Sequence, residues 1–130
     1  MIEFISLDQA LYIHHLMISK FGGLQGIRDI NLLISALETP KATFGSADLH
    51  PTLYDKAAAY MFHLTKNHPF NDGNKRTAYF VTLLFLKANH VPIRFEKEQL
   101  EAVVVSTAEG RLSKEQISSF LSISKKEFLL

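Results

Sequence analysis

Along most of this chain apolar residues recur three and four positions apart, the spacing of one face of an α-helix. Leu7, Ala10, Leu11, His14, Met17, Ile18 and Phe21 form the first such stripe, opened by the capping box Ser6-Leu7-Asp8-Gln9 and stopped by Gly22-Gly23. Asp29 suits the N-cap of a short helix through Leu37, ended by Pro40. Lys41 to His50 has no helical period and carries Gly45, Ser46 and Asp48, so a loop or a small hairpin is expected. Thr52 opens a third helix with its stripe at Leu53, Ala57, Tyr60, Met61 and Leu64, where Ala57-Ala58-Ala59 permits close packing before Pro69 breaks the pattern. A further long helix starts near Gly73 or Asn74. Its Ala78–Leu86 run is almost wholly apolar, which marks burial on most sides, and Asn89-His90 and Pro92 end it. Val91 to Phe95 reads as an extended link, and Glu98 to Glu109 as a helix closed by Gly110. Ser113-Lys114-Glu115-Gln116 is a second capping box, opening a last helix towards Ser124, with a tail from Lys125 that frays or docks through Phe128 and Leu129. The pattern predicts an all-α fold, a compact bundle of about six helices with no sheet larger than a hairpin.

Composition narrows the function classes. The 130 residues fit one domain, 1–130, and a hydrophobic fraction of 47% supports a core. The absence of cysteine excludes disulfides and zinc–thiolate sites. A net charge of +1 gives no broad pull towards nucleic acid, so no direct nucleic-acid binding is expected and a nucleic-acid-binding helical domain is disfavoured. Met1-Ile2-Glu3-Phe4 has no cationic stretch leading into an apolar run, and no apolar segment approaches bilayer length. The expectation is a soluble, cytoplasmic protein without a membrane partner.

The chemistry is concentrated in His68-Pro69-Phe70-Asn71-Asp72-Gly73-Asn74-Lys75-Arg76, between the two most hydrophobic helices. Imidazoles titrate near neutrality, so His68 can accept a proton from a hydroxyl nucleophile. Asp72 is a natural Mg²⁺ ligand. The first turn of the following helix offers unpaired N–H groups and a partial positive charge, so Gly73, Asn74 and Lys75 amides can hold phosphate oxygens, with Lys75 and Arg76 side chains adding charge. Phe70 suits the core, and Asn74 suits either a phosphate or an internal brace. Taken singly, each residue has an ordinary role: His68 a surface histidine, Asp72 a helix N-cap, Lys75-Arg76 a solvated face, Asn71 to Asn74 a turn. Their combination in one short run points to phosphate-ester chemistry.

Other histidines offer less. His14 and His15 diverge around one helix and do not chelate together. His63 approaching His68 would make a two-histidine metal site, but no third ligand follows at a diagnostic spacing. His50 and His90 read as surface loop residues.

The run from His68 to Arg76 resembles the signature of the Fic/Doc family, His-x-Phe-x-Asp/Glu-Gly-Asn, then a small residue or Lys, then Arg. Phe21-Gly22-Gly23-Leu24-Gln25-Gly26 and Leu83-Leu84-Phe85-Leu86-Lys87-Ala88-Asn89 are similar to segments of its Doc (death-on-curing) branch. AMP-transferring Fic enzymes place a second Gly where this chain has Lys75, and an Arg where it has Tyr79; Asn74-Lys75-Arg76-Thr77 matches Doc. Resemblance to Doc implies a protein kinase that binds ATP reversed and passes its γ-phosphate to a threonine of a translation factor such as elongation factor Tu, arresting translation. It implies His68 as general base, Asp72 on Mg²⁺, Gly73 and Asn74 as the anion cradle, and Lys75 and Arg76 on the phosphates. Lys20 and Lys87 stand where relatives often carry Arg and offer further phosphate contacts, although an ammonium cannot reproduce a bidentate guanidinium.

The resemblance also bears on regulation. Inhibitory helices of Fic proteins read Ser/Thr-x-x-x-Glu-Gly/Asn. Here Glu109-Gly110 is preceded by Val105 at the hydroxyl position, so built-in inhibition is not expected. A separate Phd-like antitoxin, folding as a helix on the toxin, is the implied partner, and Phe128-Leu129-Leu130 is one candidate for its contact surface. Two other readings stay open: a Fic-type AMP or nucleotidyl transferase, and a non-catalytic protein-interaction module.

Overall fold

The structure, a computed structural model, describes residues 1–123; the proposed roles of Lys125, Phe128, Leu129 and Leu130 and the expected helix end at Ser124 lie outside the described residues. Among the described residues six α-helices and one small hairpin follow in chain order: α1 Leu7–Phe21, α2 Ile30–Glu38, β1 Thr43–Phe44, β2 Ala47–Asp48, α3 Leu53–Asn67, α4 Asn74–Ala88, α5 Lys97–Ala108 and α6 Lys114–Ser122. This is the compact helical architecture that the apolar spacing predicts.

The capping chemistry accounts for where the elements start. Ser6 Oγ accepts from Gln9 N at 3.1 Å while Gln9 Oε1 accepts from Ser6 N at 2.9 Å, and the same reciprocal pair opens α6 between Ser113 and Gln116. Thr52 and Asp55 do this for α3, and Asp29 Oδ1 accepts from Leu32 N at the head of α2. α2 ends at Glu38, two residues before Pro40, which sits buried in a tight single turn, Thr39–Lys41, where its missing N–H costs nothing. The β1–β2 hairpin is antiparallel, with Thr43 opposite Asp48 and Phe44 opposite Ala47.

The third helix is the axis of the molecule. It packs against α2, α4, α5 and α6, and α1 lies on α4. Ala57, Ala58 and Ala59 are wholly buried, so neighbouring helices approach its backbone closely, and Tyr60, Met61 and Leu64 fill the layer around them. Each such large side chain contributes roughly 1.5–3 kcal/mol of burial. Two polar ties close the ends. Tyr60 Oη accepts from Ile5 N at 2.9 Å, and Asn89 bonds both main-chain groups of Glu3, so the segment before α1 is pinned across α3 and α4. Lys56, only 2% exposed, donates to Asp48 Oδ2 at 3.0 Å and to the His50 carbonyl; this pairing compensates a buried charge and fastens the hairpin to α3. No helix among the described residues is long and apolar enough to cross a membrane. The link from His68 to Gly73 thus joins two helices that are themselves held by the core, which fixes both of its ends.

Candidate active site

Two left-handed residues bracket the loop. His68 closes α3 at φ 50°, ψ 54°, and Gly73 heads α4 at φ 78°. A non-glycine residue in that region is strained by roughly 1–2 kcal/mol and persists only when its surroundings hold it. The hold comes from the segment after α1. Arg28 Nε donates to the His68 carbonyl at 2.7 Å and its Nη2 to the Asn67 carbonyl at 2.8 Å, satisfying the last carbonyls of α3. The main chain does the rest: Arg28 N and Asp29 N both donate to Pro69 O at 2.7 and 3.0 Å, Asn71 N donates to Gly26 O at 3.1 Å, and Ile27 pairs with Phe70 as an isolated antiparallel bridge.

Inside the loop the side chains divide by direction. Phe70 is fully buried, and its ring stacks on His14 of α1 with centroids 3.7 Å apart. Asn74 is 5% exposed; its Oδ1 accepts from Phe70 N and its Nδ2 donates to Phe70 O, each at 3.0 Å. Of the two roles the sequence offers for the Asn74 side chain, the internal brace is the one it adopts; its main-chain N–H stays at the mouth of α4. Thr77, fully buried, donates its main-chain N–H to the Gly73 carbonyl. His14 Nε2 lies 2.8 Å from the Asp72 carbonyl. Burial is the main influence on His14 and holds its pKa below the ordinary imidazole value, against the opposing pull of the Asp72 carbonyl and carboxylate.

Pointing outward are the groups that could do chemistry. His68, Asp72, Lys75 and Arg76 are all exposed. Asp72 Oδ1 accepts from Gly73 N at 3.0 Å and Oδ2 from Leu24 N at 3.2 Å, so the carboxylate is oriented while each oxygen keeps a second acceptor direction. That suits a hard cation. No group of three His, Cys, Asp or Glu converges among the described residues, so Mg²⁺ held by Asp72 would complete its shell with phosphate oxygens and water. Since the Gly73 N–H serves Asp72, the amides left for an anion are those of Asn74, Lys75 and Arg76, which precede the first main-chain bond of α4, Thr77 N to Gly73 O at 3.0 Å. The Arg76 guanidinium lies over the Phe21 ring, 4.3 Å from its centroid. Beside it a cavity of about 570 Å³ opens between Phe21, Lys75, Arg76 and Tyr79 and the facing side of α5. Burial, with Glu101 and Glu98 nearby, pushes the Tyr79 phenol up.

Not every candidate comes to this place. Lys87 is in the last turn of α4, roughly 20 Å along the axis from Asn74; it cannot touch a phosphate held at the helix start. Lys20 is in the last turn of α1, near Phe21. His63 does not turn to His68. Its Nε2 meets Lys114 Nζ at 3.1 Å, and His50 Nε2 meets the same ammonium at 3.1 Å. His50 is 8% exposed, a buried residue where the sequence suggests a surface one. What sequence reasoning misses are the supports, His14 and Arg28. An amphipathic stripe already accounts for His14, and Arg28 has no motif around it; only the return of the chain onto the loop reveals either.

Residues 4–86 match the Fic/DOC family, and the chain belongs to it. Over 117 residues, 90% of this chain and 91% of the relative, it is 31% identical to the protein kinase doc of Escherichia phage P1. Over 73 residues it is 45% identical to the toxin Doc of Mycolicibacterium smegmatis, a match that spans 56% of each chain. Within the family, it falls in the Doc branch.

Proposed function

We propose that this protein is the toxin of a toxin–antitoxin module, an ATP-dependent kinase that phosphorylates a threonine of a translation factor of the elongation factor Tu type. The observation that carries this reading is the division of the loop: Phe70 and Asn74 face inward and hold the backbone, while His68, Asp72, Lys75 and Arg76 face solvent beside the open amides of α4. The names of the two relatives, a toxin and a protein kinase, support it.

In this reading His68 takes the proton from the threonine hydroxyl as its oxygen attacks the γ-phosphorus of ATP; the bond from that phosphorus to the β,γ-bridging oxygen breaks and ADP leaves. Asn74, Lys75 and Arg76 amides, with the two cationic side chains, hold the phosphate oxygens and the charge that develops on them. Asp72 would hold Mg²⁺, and the ion when bound would supply positive charge beside the phosphates of ATP, the donor of the γ-phosphoryl group. Lys75 fills space that a glycine would leave to a nucleotide, and Tyr79 offers no cation at the position where AMP-transferring relatives carry Arg, which favours γ- over α-attack. Orientation of the hydroxyl and phosphorus by a rigid loop is the main catalytic contribution expected of such a site. A Phd-like antitoxin, binding through a helix, is the proposed partner.

The test uses ATP labelled separately at the α and γ positions, purified translation factor and the full chain. Transfer of γ label to threonine, reduced by roughly 10²- to 10⁴-fold in His68→Ala, is the expected result. Transfer of α label alone would replace the kinase with a nucleotidyl transferase. Growth arrest that survives His68→Ala at equal expression would favour a non-catalytic interaction module.

A further inference from the structure

The contact from α1 onto the apex of the loop has no part in the chemistry proposed above. His14 is 4% exposed and meets the loop at three residues. Its Nε2 stands 2.8 Å from the Asp72 carbonyl oxygen. Its ring lies on Phe70, planes 6° from parallel. Its Nε2 edge also comes within 3.7 Å of the point where a β-carbon on Gly73 would stand. A carbonyl oxygen only accepts, so this contact requires the hydrogen on Nε2. An apolar side chain would fill the same space against Phe70 without the cost of burying a polar ring; what the imidazole adds is the donor.

That donor has a consequence on the other side of the peptide. No cis peptide occurs among the described residues, and in a trans peptide the C=O and the following N–H point in opposite directions. With the Asp72 carbonyl drawn towards α1, the Gly73 N–H is turned away from α1, where it donates to Asp72 Oδ1 at 3.0 Å. We propose that His14 is a positioning residue: acting through the Asp72–Gly73 peptide, it sets the direction of the Gly73 N–H and with it the orientation of the Asp72 carboxylate. The proposal rests on the kinase reading for its functional meaning, but its structural content stands apart from any reaction. The nearest precedent in kind is the outer-shell partner of a metal-binding side chain, whose loss typically costs roughly 10- to 100-fold in affinity or activity.

Two substitutions separate donor from packing. His14→Phe keeps a ring against Phe70 and removes the donor; His14→Gln places an amide N–H near the Nε2 position and gives up the ring. In the ligand-free protein, ¹⁵N NMR of the His14 imidazole should show hydrogen on Nε2. The Gly73 amide should exchange with solvent at least roughly tenfold faster in His14→Phe than in wild type or His14→Gln, with core amides unchanged. In the transfer assay, His14→Phe should lower kcat by roughly 10- to 100-fold and raise the Mg²⁺ needed for half-maximal rate, with KM for the target protein unmoved and His14→Gln recovering most of the loss. Hydrogen on Nδ1, or wild-type Gly73 exchange in folded His14→Phe, would reduce His14 to a packing residue. Should His14→Phe not fold, His14→Gln decides: fast Gly73 exchange there despite its donor overturns the proposal. If the wild-type protein transfers no phosphoryl group, the kinase reading fails and the two NMR measurements still judge the clamp.

Discussion

Gly23 faces the carboxylate of Asp72 so closely that a β-carbon at position 23 would stand 2.7 Å from Oδ2 and 3.1 Å from Cγ. Its φ of 119° also lies where L side chains are strained. Gly23→Ala must therefore push the carboxylate aside or distort the turn after α1. The expected outcome is a loss of transfer activity of about 100-fold, the scale of an ångström-sized misplacement, against a loss of stability of only about 1–3 kcal/mol. Parallel activity and urea-denaturation measurements check it; an active Gly23→Ala would show that Asp72 tolerates displacement.

Arg28 is the second support. It is exposed, yet its fork spans the carbonyls of Asn67 and His68. Arg28→Ala should free the left-handed turn at His68, lowering kcat while costing about 1 kcal/mol or less of stability at this exposed position. Arg28→Lys should restore little, because a single ammonium cannot reproduce the two parallel N–H bonds. Equal kcat values for Arg28→Ala and wild type would remove Arg28 from the set of groups that hold the loop.

Acid should loosen the contact between α3 and α6. Burial first, then the Lys114 charge and His50, lower the pKa of His63 from 6.5 to about 4; burial and Lys114 lower His50 as well. Both folded-state values lie below the unfolded one, so the unfolded chain binds more protons as pH falls. The stability these neutral rings contribute is complete above about pH 6.5 and is lost towards pH 4. Tm should accordingly hold steady above neutrality and decline between those limits. Removing the neighbouring cation in Lys114→Met should move the His63 titration upward while burial still keeps it below the ordinary value. NMR titration of the ring proton reads this directly; a His63 midpoint near 6.5 in the wild type would refute the buried, neutral assignment.

Tyr60→Phe tests the tie to the N-terminal segment. The ring stays buried, but Ile5 N loses its acceptor, and a buried N–H without a partner costs about 1–3 kcal/mol. Chemical denaturation should show that loss, with transfer activity retained because Tyr60 takes no part in the loop. An unchanged midpoint would mean that water replaces the phenol.

Much of this was legible in the chain itself. The helices announce themselves through Ser6, Asp29, Thr52 and Ser113, since a capping side chain acts on N–H groups only two or three residues away and leaves a local trace. The candidate site is legible for the same reason: its outward groups share one short run. What the pattern does not disclose is the scaffold, because it is made by residues about 40 to 60 positions upstream whose contacts depend on the fold. Arg28 to His68 and His14 to Asp72 are contacts of that kind. His63 misleads for a related reason: periodicity tells which face of α3 it occupies but not that Lys114 of α6 arrives there.

Three of the bonds that seat the loop join main-chain atoms alone: Arg28 N and Asp29 N to Pro69 O, and Asn71 N to Gly26 O. Such bonds make no demand on side-chain identity beyond excluding proline as the donor. These three links would therefore survive a change of side chain at 28, 29 or 71, even one that removed the separate side-chain bonds of Arg28 and Asp29. Kinship among chains so changed would persist longest in the few letters that face the chemistry and in the glycines whose missing β-carbons let two stretches of backbone meet.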